Sequence, residues 1–112
     1  MRPSKELIGA SSSLLVLAAV ARQSSYGYDI VRQINQCAGG IFTWQEGTIY
    51  PLLHKLEQDG LLRARWQEAE NGRRRKYYAI TARGRAALSA DVKQWSRFHA
   101  MILDLYGSGS HA

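Results

Sequence analysis

The chain has 112 residues, 46% of them hydrophobic, a single cysteine and a formal net charge of +6 at neutral pH. That length holds one domain with a modest core and excludes a multidomain machine. One cysteine, Cys37, excludes an internal disulfide and a cysteine metal cage and points to a reducing, cytoplasmic setting, while the surplus of cations points to a polyanionic partner.

The first element is a helix carrying the apolar run of residues 14–21. Leu7, Ser11, Leu14, Leu15, Ala18 and Ala21 recur at helical spacing, and Leu17 and Val20 spread the apolar surface around the cylinder, so this helix needs neighbours on most sides. Arg2 and Lys5 ahead of the run and Ala19-Val20-Ala21 at its close imitate an export signal. The apolar centre is short and Glu6 interrupts the basic leader, so a buried helix accounts better for the pattern. No stretch approaches the roughly 18 consecutive apolar residues of a membrane span.

A second helix is expected from a cap at Ser24 or Ser25, through Tyr28, Ile30, Val31 and Ile34, to a stop at Ala38-Gly39-Gly40. Thr43 and Glu46 have the spacing of a capping box and predict the start of a third helix. Its buried stripe is Ile49, Leu52, Leu53 and Leu56, its outside His54, Lys55, Gln58 and Asp59, and Gly60 ends it. After Gly60 the period becomes alternating: Leu62, Ala64 and Trp66 point one way and Arg63, Arg65 and Gln67 the other, which reads as a strand. Residues 77–80 make a second strand. Asn71-Gly72, both tolerant of positive φ, mark a hairpin between them whose tip is Arg73-Arg74-Arg75-Lys76.

Beyond Thr81 a helical pattern runs to about Tyr106, with Leu88, Val92, Trp95, His99, Ile102 and Tyr106 at alternating spacings and Phe98, Met101 and Leu105 widening the stripe. At 1.5 Å per residue such a helix is about 37 Å long, too long for a small monomer to cover. It predicts dimerisation through Leu88, Val92, Trp95, Ile102, Leu105 and Tyr106. Residues 107–112 read as a flexible Gly-Ser tail.

Catalysis finds little support. His54, His99 and His111 are scattered without a cysteine or carboxylate at ligand spacing, Gly39-Gly40 lacks the rest of a phosphate loop, and no serine sits in a nucleophile elbow. No catalytic residue, metal or cofactor is therefore expected. Nucleic acid is better supported: eight of the fifteen basic residues lie between Arg63 and Arg85, against only Glu68 and Glu70. Three helices followed by a cationic hairpin is the order of a winged helix-turn-helix. The fold class is thus mainly α with a small β-hairpin, with residues 1–81 binding DNA, 82–106 forming one long C-terminal dimerisation helix and 107–112 the tail. A rival reading is a basic RNA-binding module that stacks bases on Trp66, Tyr77 and Tyr78. A third is a protein adaptor using the long helix.

Three groups of residues resemble the PadR family of bacterial transcriptional regulators: Tyr26-Gly27-Tyr28-Asp29-Ile30; Glu46-Gly47-Thr48-Ile49-Tyr50-Pro51-Leu52-Leu53 with Leu56-Glu57 and Gly60-Leu61; and Gly72-Arg73-Arg74-Arg75-Lys76-Tyr77-Tyr78 with Ile80-Thr81 and Gly84. The resemblance implies a winged-helix repressor that binds a pseudo-palindromic DNA operator as a homodimer and releases it when a small molecule binds. It places DNA contacts at Tyr26 and Tyr28, at Gln45, Glu46, Gly47, Thr48, Tyr50, Pro51, His54 and Lys55, and at Arg73, Arg74, Arg75 and Lys76. Gly47 lets the helix approach the backbone closely, and Pro51 is tolerable if it lies in the helix's first turns, where amides lack partners. This chain departs from the family at Gln45, where a small polar residue is common and Thr43 would take over capping, and at Arg74, where proline is frequent. Trp95-Ser96-Arg97 resembles the tryptophan segment of short members that sense multiple drugs. By that likeness Trp95 stacks on a planar aromatic effector between subunits, with Leu14, Ala18 and Phe98 as walls and His99 at the rim.

Overall fold

A computed structural model describes residues 3–68 and 71–110, so Arg2, Glu70 and His111 lie outside the described residues. The elements in chain order are α1 (Lys5–Arg22), β1 (Ser25–Tyr26), α2 (Gly27–Ala38), α3 (Glu46–Gln58), β2 (Leu62–Glu68), β3 (Arg74–Ile80) and α4 (Ala82–Ser110). The strands form one antiparallel sheet in the order β1-β3-β2, against which the first three helices pack, so the architecture is a winged helix-turn-helix with a long helix attached. Ile30, Ile49, Leu53, Leu62, Val16 and Val20 lie fully buried where helices and sheet meet.

The Ser4 hydroxyl caps α1 by accepting the Leu7 amide at 3.2 Å. The face turned to the core is Ser12, Val16, Leu17 and Val20, whereas Leu7 is half exposed and Ala18 exposed. The run is apolar nearly all round, so its periodicity cannot choose a face; the choice falls to what packs against it. Ser12 is tolerated inside because its hydroxyl donates to the Ile8 carbonyl and accepts the Trp44 indole N–H at 3.2 Å.

Neither serine caps α2. Ser25 and Tyr26 instead form β1, paired with Tyr78 and Tyr77, and Tyr26 stands at the N-cap position without a side-chain cap. The Ser25 hydroxyl donates to Asp29 Oδ2 at 2.6 Å, which ties the first turn of α2 to the sheet. Gly39, at φ 59°, ends the helix as expected.

The capping box at Thr43 does not form either: α3 starts after Gln45, which supplies no side-chain cap. Trp44 is the reason. Its amide donates to Asn35 Oδ1 at 2.7 Å, its carbonyl accepts Asn35 Nδ2 at 3.0 Å, and its ring is buried edge-on against Phe42 with centroids 4.7 Å apart. Trp44 is thus a core anchor rather than a first-turn residue, and the helix begins beyond it. Even with this later start Pro51 is the sixth residue of α3 and lies in the helix interior, past the first turn whose amides lack partners, a correction to its expected place. It has no amide for the Gly47 carbonyl and its ring crowds that carbonyl.

The hairpin register runs from Leu62↔Ile80 to Glu68↔Arg74, so Arg74, Arg75 and Lys76 belong to β3 and only Arg73 stands in the turn, a correction to the four-residue tip. Ladder hydrogen bonds use the backbone, and charged side chains do not stop the strand from extending. Gly72 takes φ 78° in the turn, while Asn71 contributes through its side chain, accepting the Arg73 amide at 3.1 Å.

Thr81 joins the wing to α4. Its hydroxyl accepts the Gly84 amide at 3.0 Å and donates to the Gly60 carbonyl at 2.7 Å, which seats the first turn of α4 on the α3–β2 junction. The helix runs on through Ser110 rather than ending near Tyr106, so residues 107–110 are helical and not a flexible tail. At 1.5 Å per residue α4 is about 43 Å long. Its Leu88 packs on the core of its own domain, unlike the residues beyond it.

Candidate nucleic-acid interface

The buried stripe Ile49, Leu53 and Leu56 fixes how α3 is rolled, and with it which residues face outward. Gln45, Glu46, Gly47, Pro51, His54 and Lys55 are exposed, with open space where a Gly47 side chain would stand. Thr48 lies on the flank toward α1, in a hollow of about 590 Å³ shared with Ile8, Phe42 and Leu52. Tyr50 lies on the opposite flank with its ring close to Gly27: a Cβ at Gly27 would come within 2.9 Å of Tyr50 Cε1. Burial, with a smaller contribution from Glu46, raises the Tyr50 phenol above its ordinary pKa, so it stays a neutral donor and acceptor.

Strand alternation divides the basic residues of β3 between two faces. Arg75 and Tyr77 share one face, where Tyr26 meets Tyr77 edge-on at 5.6 Å and the Arg75 guanidinium covers the Tyr26 ring at 4.3 Å. Arg74, Lys76 and Tyr78 share the other. There Arg74 lies 5.6 Å from the Trp66 ring centroid, and Lys76 Nζ pairs with Glu57 of α3 at 3.0 Å. That hydrogen bond is the main reason the Lys76 pKa is raised above its ordinary value. The same alternation dismantles the RNA platform: Tyr78 is buried, and Tyr77 faces away from Trp66.

Between α2, α3 and the sheet lies a groove of about 370 Å³ lined by Tyr26, Tyr28, Tyr50, His54, Arg75 and Lys76, all singled out from the sequence, together with Gly27 and Trp66. Asp29 holds its α2 wall in place, accepting from Ser25 at 2.6 Å, Gln33 at 2.7 Å and Arg32 at 2.6 Å. Those hydrogen bonds, Ser25's first, lower its pKa below the ordinary value. Sequence reasoning missed Glu57, whose role appears only once β3 lies beside α3, and Gly27, whose tyrosine-rich setting was a usable signal. Arg73 and Arg74 project from the exposed end of the wing.

The residues assigned to an effector are dispersed within one chain. Ala18 lines a pocket of about 140 Å³ between α1 and α2. Phe98 lines an open hollow on α4 with Lys93, Gln94, Arg97 and Met101, while Leu14 is half-buried and Trp95 and His99 are exposed. Among the described residues no helix is long and apolar enough to cross a membrane, and no three His, Cys, Asp or Glu side chains converge as a metal site.

A sequence model of the transcriptional regulator PadR-like family matches residues 16–90. A transcriptional regulator of Mycobacterium tuberculosis is 53% identical over 65 residues, spanning 58% of this chain and 57% of its own. A PadR-like transcriptional regulator from Bacillus cereus superposes with a TM-score of 0.79 at 25% identity, covering 90% of this chain and 96% of that one. A PadR family regulator from Eggerthella lenta does so with a TM-score of 0.77 at 31% identity, covering 89% and 85%. The match runs from the second part of α1 to the start of α4 and includes every element that lines the groove, and the chain belongs to the PadR-like family of transcriptional regulators.

Proposed function

We propose that the chain is a cytoplasmic, homodimeric repressor that binds a pseudo-palindromic operator and releases it when a planar aromatic molecule occupies the subunit interface. The observation that carries this reading is the far part of α4, where Val92, Trp95, Phe98, Met101, Ile102, Leu105 and Tyr106 are all exposed. Burial of a large apolar side chain is worth about 1.5 to 3 kcal/mol, and a second copy of the same helix supplies it for the whole stripe at once. Leu88 packs partly on its own core and leads into this seam.

In the dimer α3 enters the major groove with Gln45, Glu46, Gly47, Thr48, Pro51, His54 and Lys55. Tyr26, Tyr28, Tyr50, Arg73, Arg74 and Arg75 hold the sugar-phosphate backbone. The two copies meet half-sites about 34 Å apart or a multiple of it. Trp95 stacks on the effector, Phe98, Leu14 and Ala18 wall it, and His99 stands at its rim; the outward position of Ala18 on α1 supports this assignment.

Sedimentation of the purified chain, footprinting on the DNA upstream of its own reading frame, and tryptophan fluorescence during titration with planar aromatics test the three parts. A dimer, a two-fold symmetric footprint and quenching that accompanies DNA release are expected. A stable monomer indifferent to duplex DNA at low ionic strength overturns the reading.

A further inference from the structure

Lys76 differs from the other cations of the wing. Among the described residues Arg73, Arg74 and Arg75 have no carboxylate within ion-pair distance, whereas Lys76 Nζ lies 3.0 Å from Glu57 Oε1. The pair is partly enclosed, with side-chain exposures of 23% for Lys76 and 33% for Glu57, and the ammonium also lies 5.5 Å from the Tyr78 ring. Both ends are fixed by the fold. Lys76 sits in register opposite Trp66 on the face of β3 that carries buried Tyr78, and Glu57 follows His54 by three residues on α3. Both Lys76 and His54 line the groove.

Resting on the DNA-binding reading above, we infer that Glu57 withholds Lys76 from the phosphate backbone and so sets how strongly the protein binds DNA of any sequence. A cation that neutralises a phosphate releases counterions, but a lysine paired with a carboxylate carries no net charge to the duplex and releases none. Should the ammonium turn to a phosphate, it leaves Glu57 unpaired beside that phosphate, and the repulsion opposes the exchange. The raised pKa of Lys76 agrees, since its ammonium form is already stabilised inside the protein. Phosphate contacts act on every sequence about equally, so one fewer per subunit lowers affinity for the operator and for bulk DNA alike. Glu57 is thus a positioning residue that acts on DNA through Lys76.

The test is the salt dependence of binding to a random-sequence duplex, measured by fluorescence anisotropy for the full-length wild type, Glu57→Gln, Lys76→Met and the double variant, with thermal melts to show that all four are folded. Both side chains are partly exposed, so neither change opens the core. Glu57→Gln is expected to steepen the slope of log K against log salt by about 0.9 per bound subunit, a gain of roughly threefold per subunit between 200 and 50 mM salt. In the Lys76→Met background the same change is expected to leave the slope within about 0.3 of its parent. An equal gain in both backgrounds means Glu57 repels phosphates directly, and no gain in either means Lys76 is not withheld; both results overturn the inference while leaving the proposed function standing. Failure of the wild type to bind any duplex overturns both.

Discussion

Gly84, near the start of α4, separates two opposed effects of a single methyl group. A Cβ built there would stand 2.1 Å from the Leu61 carbonyl oxygen and 2.7 Å from Ile80 Cγ1. A carbon and a carbonyl oxygen approach no closer than about 3.3 Å even in a favourable contact, so the helix start or the Leu61 peptide must move by more than about 1 Å. Neither is free: the Leu61 oxygen accepts the Thr81 amide at 3.1 Å, and Thr81 caps α4 through the Gly84 amide at 3.0 Å. Overpacking costs about 3 kcal/mol and the disturbed cap about 1, while the better helix propensity of alanine returns about 1. Gly84→Ala is therefore expected to lose about 3 kcal/mol, more than a hundredfold in the unfolding equilibrium, read as a lower urea midpoint at matched protein concentration. A variant as stable as the wild type, or more so, is what propensity alone predicts and would refute the steric reasoning.

Gly47 gives the opposite sign, because nothing stands within 4 Å of its missing Cβ: Gly47→Ala is expected to gain up to about 1 kcal/mol in urea unfolding yet weaken operator binding, and tighter binding would exclude a close approach of the backbone there. Asn35→Ala removes both hydrogen bonds that clamp the Trp44 backbone and should lower unfolding free energy by about 2 kcal/mol, with an unchanged midpoint counting against the clamp. Folding depresses the Asp29 pKa below its ordinary 3.8, so its contribution is complete above that value and disappears as pH falls through the lower folded-state pKa. Asp29→Asn should therefore be less stable than wild type at pH 7, with a difference that narrows as pH falls below 3.8; a gap that does not narrow with acid contradicts this. Arg73→Ala with Arg75→Ala should weaken binding to every duplex and flatten the salt slope by about 1.8 per bound subunit, a result that anisotropy titrations at several salt concentrations check directly.

Local spacing carried much of this protein. The alternation after Gly60, the Asn71-Gly72 turn, the stripe Ile49, Leu53 and Leu56, and the long amphipathic pattern beyond Thr81 each report a period that one element imposes on its own residues, and the tyrosine, Glu-Gly-Thr and arginine motifs carried the family. Six residues named from those motifs meet at one groove. What the spacing could not contain were consequences of distant residues closing on one another. β1 is two residues long and exists because Tyr77 and Tyr78 lie beside it. The true start of α3 follows from Asn35 holding Trp44, and the inward face of α1 from what packs against a run apolar on nearly every side. Lys76 looked like one more cation of a hairpin tip until β3 placed it against Glu57. A helix or strand period is set by neighbours along the chain, but whether a charge is free or paired depends on neighbours in space, and only tertiary packing supplies those.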